Sequence, residues 1–216
     1  MLGSRSTTLK TRATQPRMWS EFAEGPQGWD VVLNTTMFHH HGLLVDYARA
    51  YHEAAKRLFG SFRQTDDYRE MDAHPIVFLY RHALEVYLKT VIDIGNNLLY
   101  LRDKPAKNWG QHNLATLLSS VREIFDLIDC SDMWKPPTFR SFSDVERVVL
   151  EVNKVPHDAF RYPVDPTGTK ELLPDSLLFN MSTFADKLDA LLELLNAAAW
   201  RTYDTFQAEV KAHMPS

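Results

Sequence analysis

Residues 75–94, PIVFLYRHALEVYLKTVIDI, carry the helical pattern on which the predicted fold of this chain is based. Their apolar side chains recur at intervals of three and four residues, which is the period of one face of an α-helix. Because this apolar face is broad, the segment is predicted to be a well-buried helix of a bundle. Pro75 suits its first turn, and Gly95 with the two following asparagines is predicted to end or fray it.

Four other segments show the same helical period. The first runs from about residue 29 to 59, with Gly60 as a C-terminal stop, and the third covers 113–129. The fourth covers 144–154 and is predicted to open with a capping box formed by Ser143 and Glu146. The last covers 175–212, which at 1.5 Å per residue would exceed about 50 Å, so it should bend, break or reach a partner.

The segment between Pro156 and Pro174 carries the turn-prone sequence DPTG between two short extended candidates, which predicts a small hairpin. No segment shows sustained strand alternation. The predicted class is therefore all-α: a bundle of four to five helices with a small hairpin insertion before a long C-terminal helix. Residues 1–28 are predicted to be a flexible basic segment, and residues 29–213 the helical domain.

Composition excludes several classes of protein. The 216 residues carry 24 Lys and Arg against 28 Asp and Glu, a net charge of -4, so there is no global basic signal for nucleic acid. The lone Cys130 excludes disulfide frameworks and Cys-rich zinc sites. No apolar run reaches the roughly 18 residues of a membrane span. A cytoplasmic protein is expected.

Motifs for the common cofactors are absent: the sequence has no P-loop, dinucleotide fingerprint, nucleophile elbow or HExxH. His39, His40 and His41 are consecutive and would point about 100° apart on a helix, so they cannot converge on one ion. No cofactor and no metal are predicted.

Three stretches, in order along the chain, resemble the HEPN superfamily of helical proteins. YRHALEVYLKTVI is similar to its Arg-His-Ala-hydrophobic-Glu string followed by a Leu-Lys pair, and GQHNLATLL resembles its GHDL-type helix opening. HDAFRYPVDPTG is similar to the D-x-F-R-Y-P segment of one bacterial HEPN-like group. The resemblance implies a helical bundle, often dimeric, in a family that includes metal-independent ribonucleases and non-catalytic members.

The catalytic members of that family have an Arg and then a His with four to six residues between them, generally at the head of a late helix. Here Arg69 and His74 have this spacing. Residue frequencies alone would produce such a match, and the pair precedes the second helix, so this motif does not support ribonuclease activity.

Seven residues are the candidates for chemistry. In the second helix the i, i+4 spacing suits ion pairs among Arg81, Glu85 and Lys89. Arg161 offers a planar fork for phosphate or carboxylate, and Tyr162 could stack on a base. A neutral imidazole at His112 could act as a general base. The predicted catalytic residues are Arg161, His112 and Arg81, and the predicted substrate contacts are Asp158, Tyr162, Glu85 and Lys89.

Two interpretations stay open for this group of residues. In the first, Arg161 binds phosphate, and the protein binds RNA or a nucleotide-bearing partner in bacterial defence or a toxin–antitoxin-type system, with an antitoxin or nucleotidyltransferase as its partner. In the second, Arg161 pairs with Asp158 or Glu85 as a brace, and the protein is a non-catalytic dimerising scaffold that uses its last helix. A homodimer is expected, because the last helix is too long and too apolar to be covered by the others.

Overall fold

Five α-helices make up most of the chain that the computed structural model describes, which comprises residues 42–64, 70–128, 139–173 and 177–213. A short 3₁₀ turn, Glu70–Asp72, leads into the second helix, and these described residues form no β-strand. The all-α prediction is confirmed. The helices are α1 Gly42–Arg63, α2 Ala73–Leu101, α3 Leu114–Leu127, α4 Phe142–Asn153 and α5 Met181–His213.

The second helix, α2, is the central element of the bundle. It packs against α1, α3 and α5, while α3 also packs against α4 and α1 against α5. Its buried side chains occur on nearly every side of the helix, including Tyr80, Leu84 and Tyr87. A helix that is apolar around most of its circumference must be surrounded by other elements, because burial of apolar area is the main favourable contribution to folding.

The predicted end of α2 at Gly95 is wrong, because the helix continues to Leu101. A Cβ at Gly95 would lie 2.7 Å from Ile124 Cδ1 and 2.8 Å from Ile124 Cγ2, closer than such atoms approach. Glycine is therefore used here for close packing of α2 against α3, at a cost of about 1 kcal/mol in helix propensity. The first helix likewise continues past Gly60, to Arg63.

The starts of α3 and α4 are set by different caps. Asn113 caps α3, since its Oδ1 accepts a hydrogen bond from the backbone N–H of Thr116 at 3.0 Å. The capping box predicted at Ser143 is wrong: the N-cap of α4 is Ser141, and Asp144 Oδ2 accepts from the backbone N–H of Arg140 at 3.0 Å. The carboxylate that accepts a backbone hydrogen bond at the start of α4 is therefore that of Asp144, and not that of Glu146 as predicted.

The predicted hairpin is reduced to a tight turn. A single antiparallel bridge joins Val164 to Glu171. Between them, Asp165 Oδ1 accepts from the backbone N–H of Thr169 at 3.0 Å, and Gly168 adopts a φ of +71° that favours glycine. This turn directly follows the segment that carries Arg161.

The last helix begins at Met181, six residues later than predicted, and runs unbroken for 33 residues. Asn180 Oδ1 accepts from the backbone N–H of Thr183 at 2.8 Å at this start. Among the described helices, none combines the length and apolar character that crossing a membrane requires. The predicted basic segment 1–28, the start of the first predicted helix, the histidine run, Arg69 and Cys130 all lie outside the described residues.

Candidate functional site

The buried carboxylate of Glu85 is the centre of a polar cluster on α2. Its side chain is 5% exposed, and three cationic or imidazole groups contact it. Arg81 Nη1 donates to Oε2 at 3.3 Å, Lys89 Nζ contacts Oε1 at 2.9 Å, and His112 Nδ1 lies 2.8 Å from Oε1. The two pairs predicted from i, i+4 spacing on this helix therefore form, and His112 adds a third partner from outside it.

Arg81 connects α2 to the loop that precedes α3. Its Nη2 donates to the backbone carbonyl of His112 at 3.3 Å, while its side chain is only 4% exposed. Its Nε is a buried donor with no hydrogen-bond partner among the described residues. Burial lowers the pKa of Arg81, although the adjacent Glu85 opposes that shift. Arg81 thus fixes the backbone of His112 and at the same time neutralises Glu85.

His112 presents its imidazole to solvent, with 54% of the side chain exposed. A hydrogen bond from Nδ1 to Glu85 places the ring proton on Nδ1 and leaves the lone pair on Nε2. In such a carboxylate–imidazole arrangement a histidine can accept a proton from a hydroxyl, because the carboxylate orients the ring and fixes its tautomer. The role of His112 as a base stays a prediction.

His157, which the sequence analysis did not single out, stacks on His112. The ring centroids are 4.6 Å apart and the planes differ by 9°. Burial lowers the pKa of His157, partly opposed by Asp158, which favours the neutral ring at pH 7. The sequence feature that could have identified His157 is its position one residue before Asp158, a predicted substrate contact. Parallel stacked rings do not direct their nitrogens at one ion, and the described residues contain no group of three metal-ligating side chains.

Arg161 makes none of the ion pairs predicted for the brace interpretation. Its guanidinium lies over two aromatic rings, 5.5 Å from the centroid of Phe78 and 5.4 Å from that of Tyr162. Within the described residues its side chain has no carboxylate partner, and the Asp158 carboxylate lies 4.0 Å from Nδ1 of His157 instead. The Asp158 carbonyl closes the turn, since it accepts from the N–H groups of Arg161 and Tyr162 at 2.9 and 3.0 Å. Arg161 is exposed and keeps its donors available.

The cluster is cationic on balance. Arg81, Lys89 and Arg161 supply three positive charges against the two negative charges of Glu85 and Asp158. Burial alone would raise the pKa of Glu85, but hydrogen bonds from Lys89 and His112 outweigh it and hold this pKa below its ordinary value. Tyr162 is 56% exposed beside Arg161, where a planar group could stack on it.

All seven predicted site residues therefore lie in one region formed by α2, the loop before α3 and the segment after α4. His74 lies at the edge of this region, where its ring contacts that of Phe160 at 6.2 Å between centroids. Comparison with protein-family models, with curated proteins and with solved structures gave no match to this chain. The resemblance to HEPN proteins rests on the sequence motifs alone.

Proposed function

We propose that this chain is a HEPN-like helical protein that binds RNA at the site formed by Arg81, Glu85, His112 and Arg161. The observation that carries the proposal is Arg161: an exposed guanidinium over the rings of Phe78 and Tyr162, with no carboxylate partner among the described residues. A guanidinium fork suits the two oxygens of a phosphodiester. The resemblance suggests a role in bacterial defence or a toxin–antitoxin-type system.

The residues around Arg161 support RNA over a simple inorganic anion. Tyr162 offers an exposed ring on which a base can stack, and Nε2 of His112 can accept a hydrogen bond from a ribose hydroxyl. Lys89 and Arg81 are committed to Glu85, so they provide positive potential and Arg161 provides direct contact. Binding of a strand should therefore depend most on Arg161.

Fluorescence anisotropy of a labelled single-stranded RNA at low salt tests this proposal. Arg161→Ala should weaken binding by about tenfold, and Arg161→Lys should not restore it, since the fork is lost. The melting temperature should stay nearly unchanged. Competition with 5′-AMP distinguishes a strand from a free nucleotide as the preferred ligand.

Arg122 supplies a matched control, because it is another exposed arginine, over the ring of Phe142 at 4.6 Å, on α3. Arg122→Ala should leave RNA affinity almost unaltered. Equal weakening by both alanine variants would indicate binding by general charge, and a wild-type protein without measurable affinity at low salt would dispose of the proposal. A gel of the same RNA incubated in EDTA shows whether it is also cleaved without a metal.

A dimerising scaffold is the second candidate function, favoured by the exposure of Trp200. This side chain is 44% exposed on α5, where a second copy of the chain could cover it. Light scattering at micromolar concentration should then give twice the chain mass, and Trp200→Glu should give the monomer mass. A monomeric wild-type protein would remove this candidate.

A further inference from the structure

A cavity of about 810 Å³ lies between α4, the start of α5 and the segment that follows α4. Its volume is in the range of small-molecule sites, roughly 300–1,000 Å³. Its walls are mainly aromatic and branched aliphatic side chains. They include Val77, Phe139, Val152, Val155, Phe160 and Phe184.

This cavity is separate from the candidate RNA site, although both use the segment after α4. Val155 and Phe160 line the cavity, whereas His157 and Arg161 belong to the polar cluster. None of the seven predicted site residues lines the cavity. The kind of ligand that fits this cavity must therefore be inferred from the residues of its own walls and rim.

The rim of the cavity carries more free positive charge than negative charge. Asp144 is engaged by Arg147 Nη2 at 2.5 Å and by the backbone N–H of Arg140, and Glu151 is engaged by Lys154 Nζ at 2.6 Å. The side chains of Arg140 and Lys187 are exposed and form no ion pair within the described part of the chain. Two cations at the mouth are thus left to meet a ligand.

We propose that this cavity binds a small amphipathic anion: a carboxylate on an aliphatic chain of medium length. The apolar walls remove the chain from water, and Arg140 and Lys187 pair with the carboxylate at the mouth. A cationic head group on the same aliphatic chain would be repelled by Arg140 and Lys187 at this rim. The combination of apolar walls and a cationic mouth therefore selects the sign of the head group.

Isothermal titration calorimetry of the full chain with dodecanoate, below its micellar concentration, tests the assignment. Dodecyltrimethylammonium is the matched probe, since it has the same chain length and the opposite charge. We expect saturable one-to-one binding of dodecanoate and binding of the cation that is weaker by about tenfold or more. Equal affinity for both probes, or binding of many molecules without saturation, would overturn the proposal.

The double variant Arg140→Gln with Lys187→Gln should weaken dodecanoate binding by about tenfold, because each exposed ion pair contributes a modest share. Both side chains are exposed, so the melting temperature should not change. Lys211→Gln near the far end of α5 is the control and should bind dodecanoate as the wild type does. Unchanged dodecanoate affinity in the double variant would contradict the proposed role of the rim.

Discussion

Glu85 with His112 and Asp189 with His52 combine the same two side-chain types in opposite arrangements. In the first pair the carboxylate is 5% exposed and the imidazole 54% exposed. In the second the imidazole is 5% exposed and the carboxylate 28% exposed. The two contacts are similar in length, 2.8 Å to Glu85 and 2.7 Å to Asp189.

The second pair is a closed brace between helices. Asp189 Oδ1 on α5 contacts His52 Nε2 on α1 and accepts from Tyr80 Oη on α2 at 3.0 Å. Burial, followed by the nearby charge of Asp189, raises the pKa of Tyr80 far above its ordinary value, so the phenol stays protonated and donates. Because His52 is enclosed, its contact with Asp189 can stabilise packing but cannot present a base to a ligand.

Which partner is exposed therefore determines what such a pair can do. A buried carboxylate that orients an exposed imidazole gives a positioned base, whereas a buried imidazole held by a carboxylate gives a brace. The Glu85 pair also has Arg81 and Lys89 in contact with its carboxylate, whereas the Asp189 pair has no cation in contact with it among the described residues. Three variants test whether the two pairs differ in this way.

Glu85→Ala should have the largest effect. It leaves the buried charge of Arg81 without its carboxylate, and breaking such a pair costs roughly 3–5 kcal/mol. For a chain of this size the melting temperature should fall by about 10 °C. Glu151→Ala, in an exposed pair with Lys154, is the control and should cost under about 1 kcal/mol. A loss below about 1 kcal/mol in urea unfolding of Glu85→Ala would show that Glu85 is not the centre of this cluster.

Asp189→Ala should have a smaller effect on stability and none on RNA binding. His52 and the Tyr80 hydroxyl lose their shared acceptor, which costs about 2 kcal/mol for polar groups left unsatisfied. Asp186→Ala, one turn earlier on α5 and exposed, is the matched control and should be near neutral. If Asp189→Ala weakened RNA binding as much as Arg161→Ala, the distinction between brace and site would not hold.

The contacts of Glu85 could be predicted from the sequence better than those of Asp189, for a physical reason. Arg81, Glu85 and Lys89 are one helical turn apart, so their pairing follows from local geometry. Asp189 and His52 are 137 residues apart, and no local pattern indicates which helices meet.

The predictions that were wrong depend on contacts between helices and on the path of a loop, which local sequence patterns do not determine. Gly95 resembles a helix stop in the sequence, yet it permits the close approach of Ile124 from another helix. The brace interpretation pairs Arg161 with Asp158 or Glu85, because an ion pair is the commoner role of such an arginine. In the structure, the Asp158 carbonyl closes the turn and the guanidinium lies over Phe78, which belongs to a different element.

Lowering the pH should remove part of the stability that Glu85 contributes, and this effect should be smaller than those of the two substitutions above. The pH range of the loss follows from the direction in which the pKa of Glu85 is shifted. The pKa of Glu85 is lower in the folded protein than its ordinary value of 4.5, which approximates the unfolded chain. The unfolded state therefore binds more protons over this range, so stability rises with pH there. The contribution is fully present above about pH 5.5 and is lost as the pH falls through the folded value. The free energy of unfolding, measured in urea from pH 3 to 7 for wild type and Glu85→Gln, should differ by a constant amount above pH 5.5. The difference between the two proteins should narrow below that pH.

Glu209→Gln provides the comparison, because a hydrogen bond with Arg102 also lowers the pKa of Glu209. This pair is more exposed, so the same narrowing should be weaker. A gap between wild type and Glu85→Gln that stays constant down to pH 3 would mean that Glu85 is not held in its charged form by Lys89 and His112.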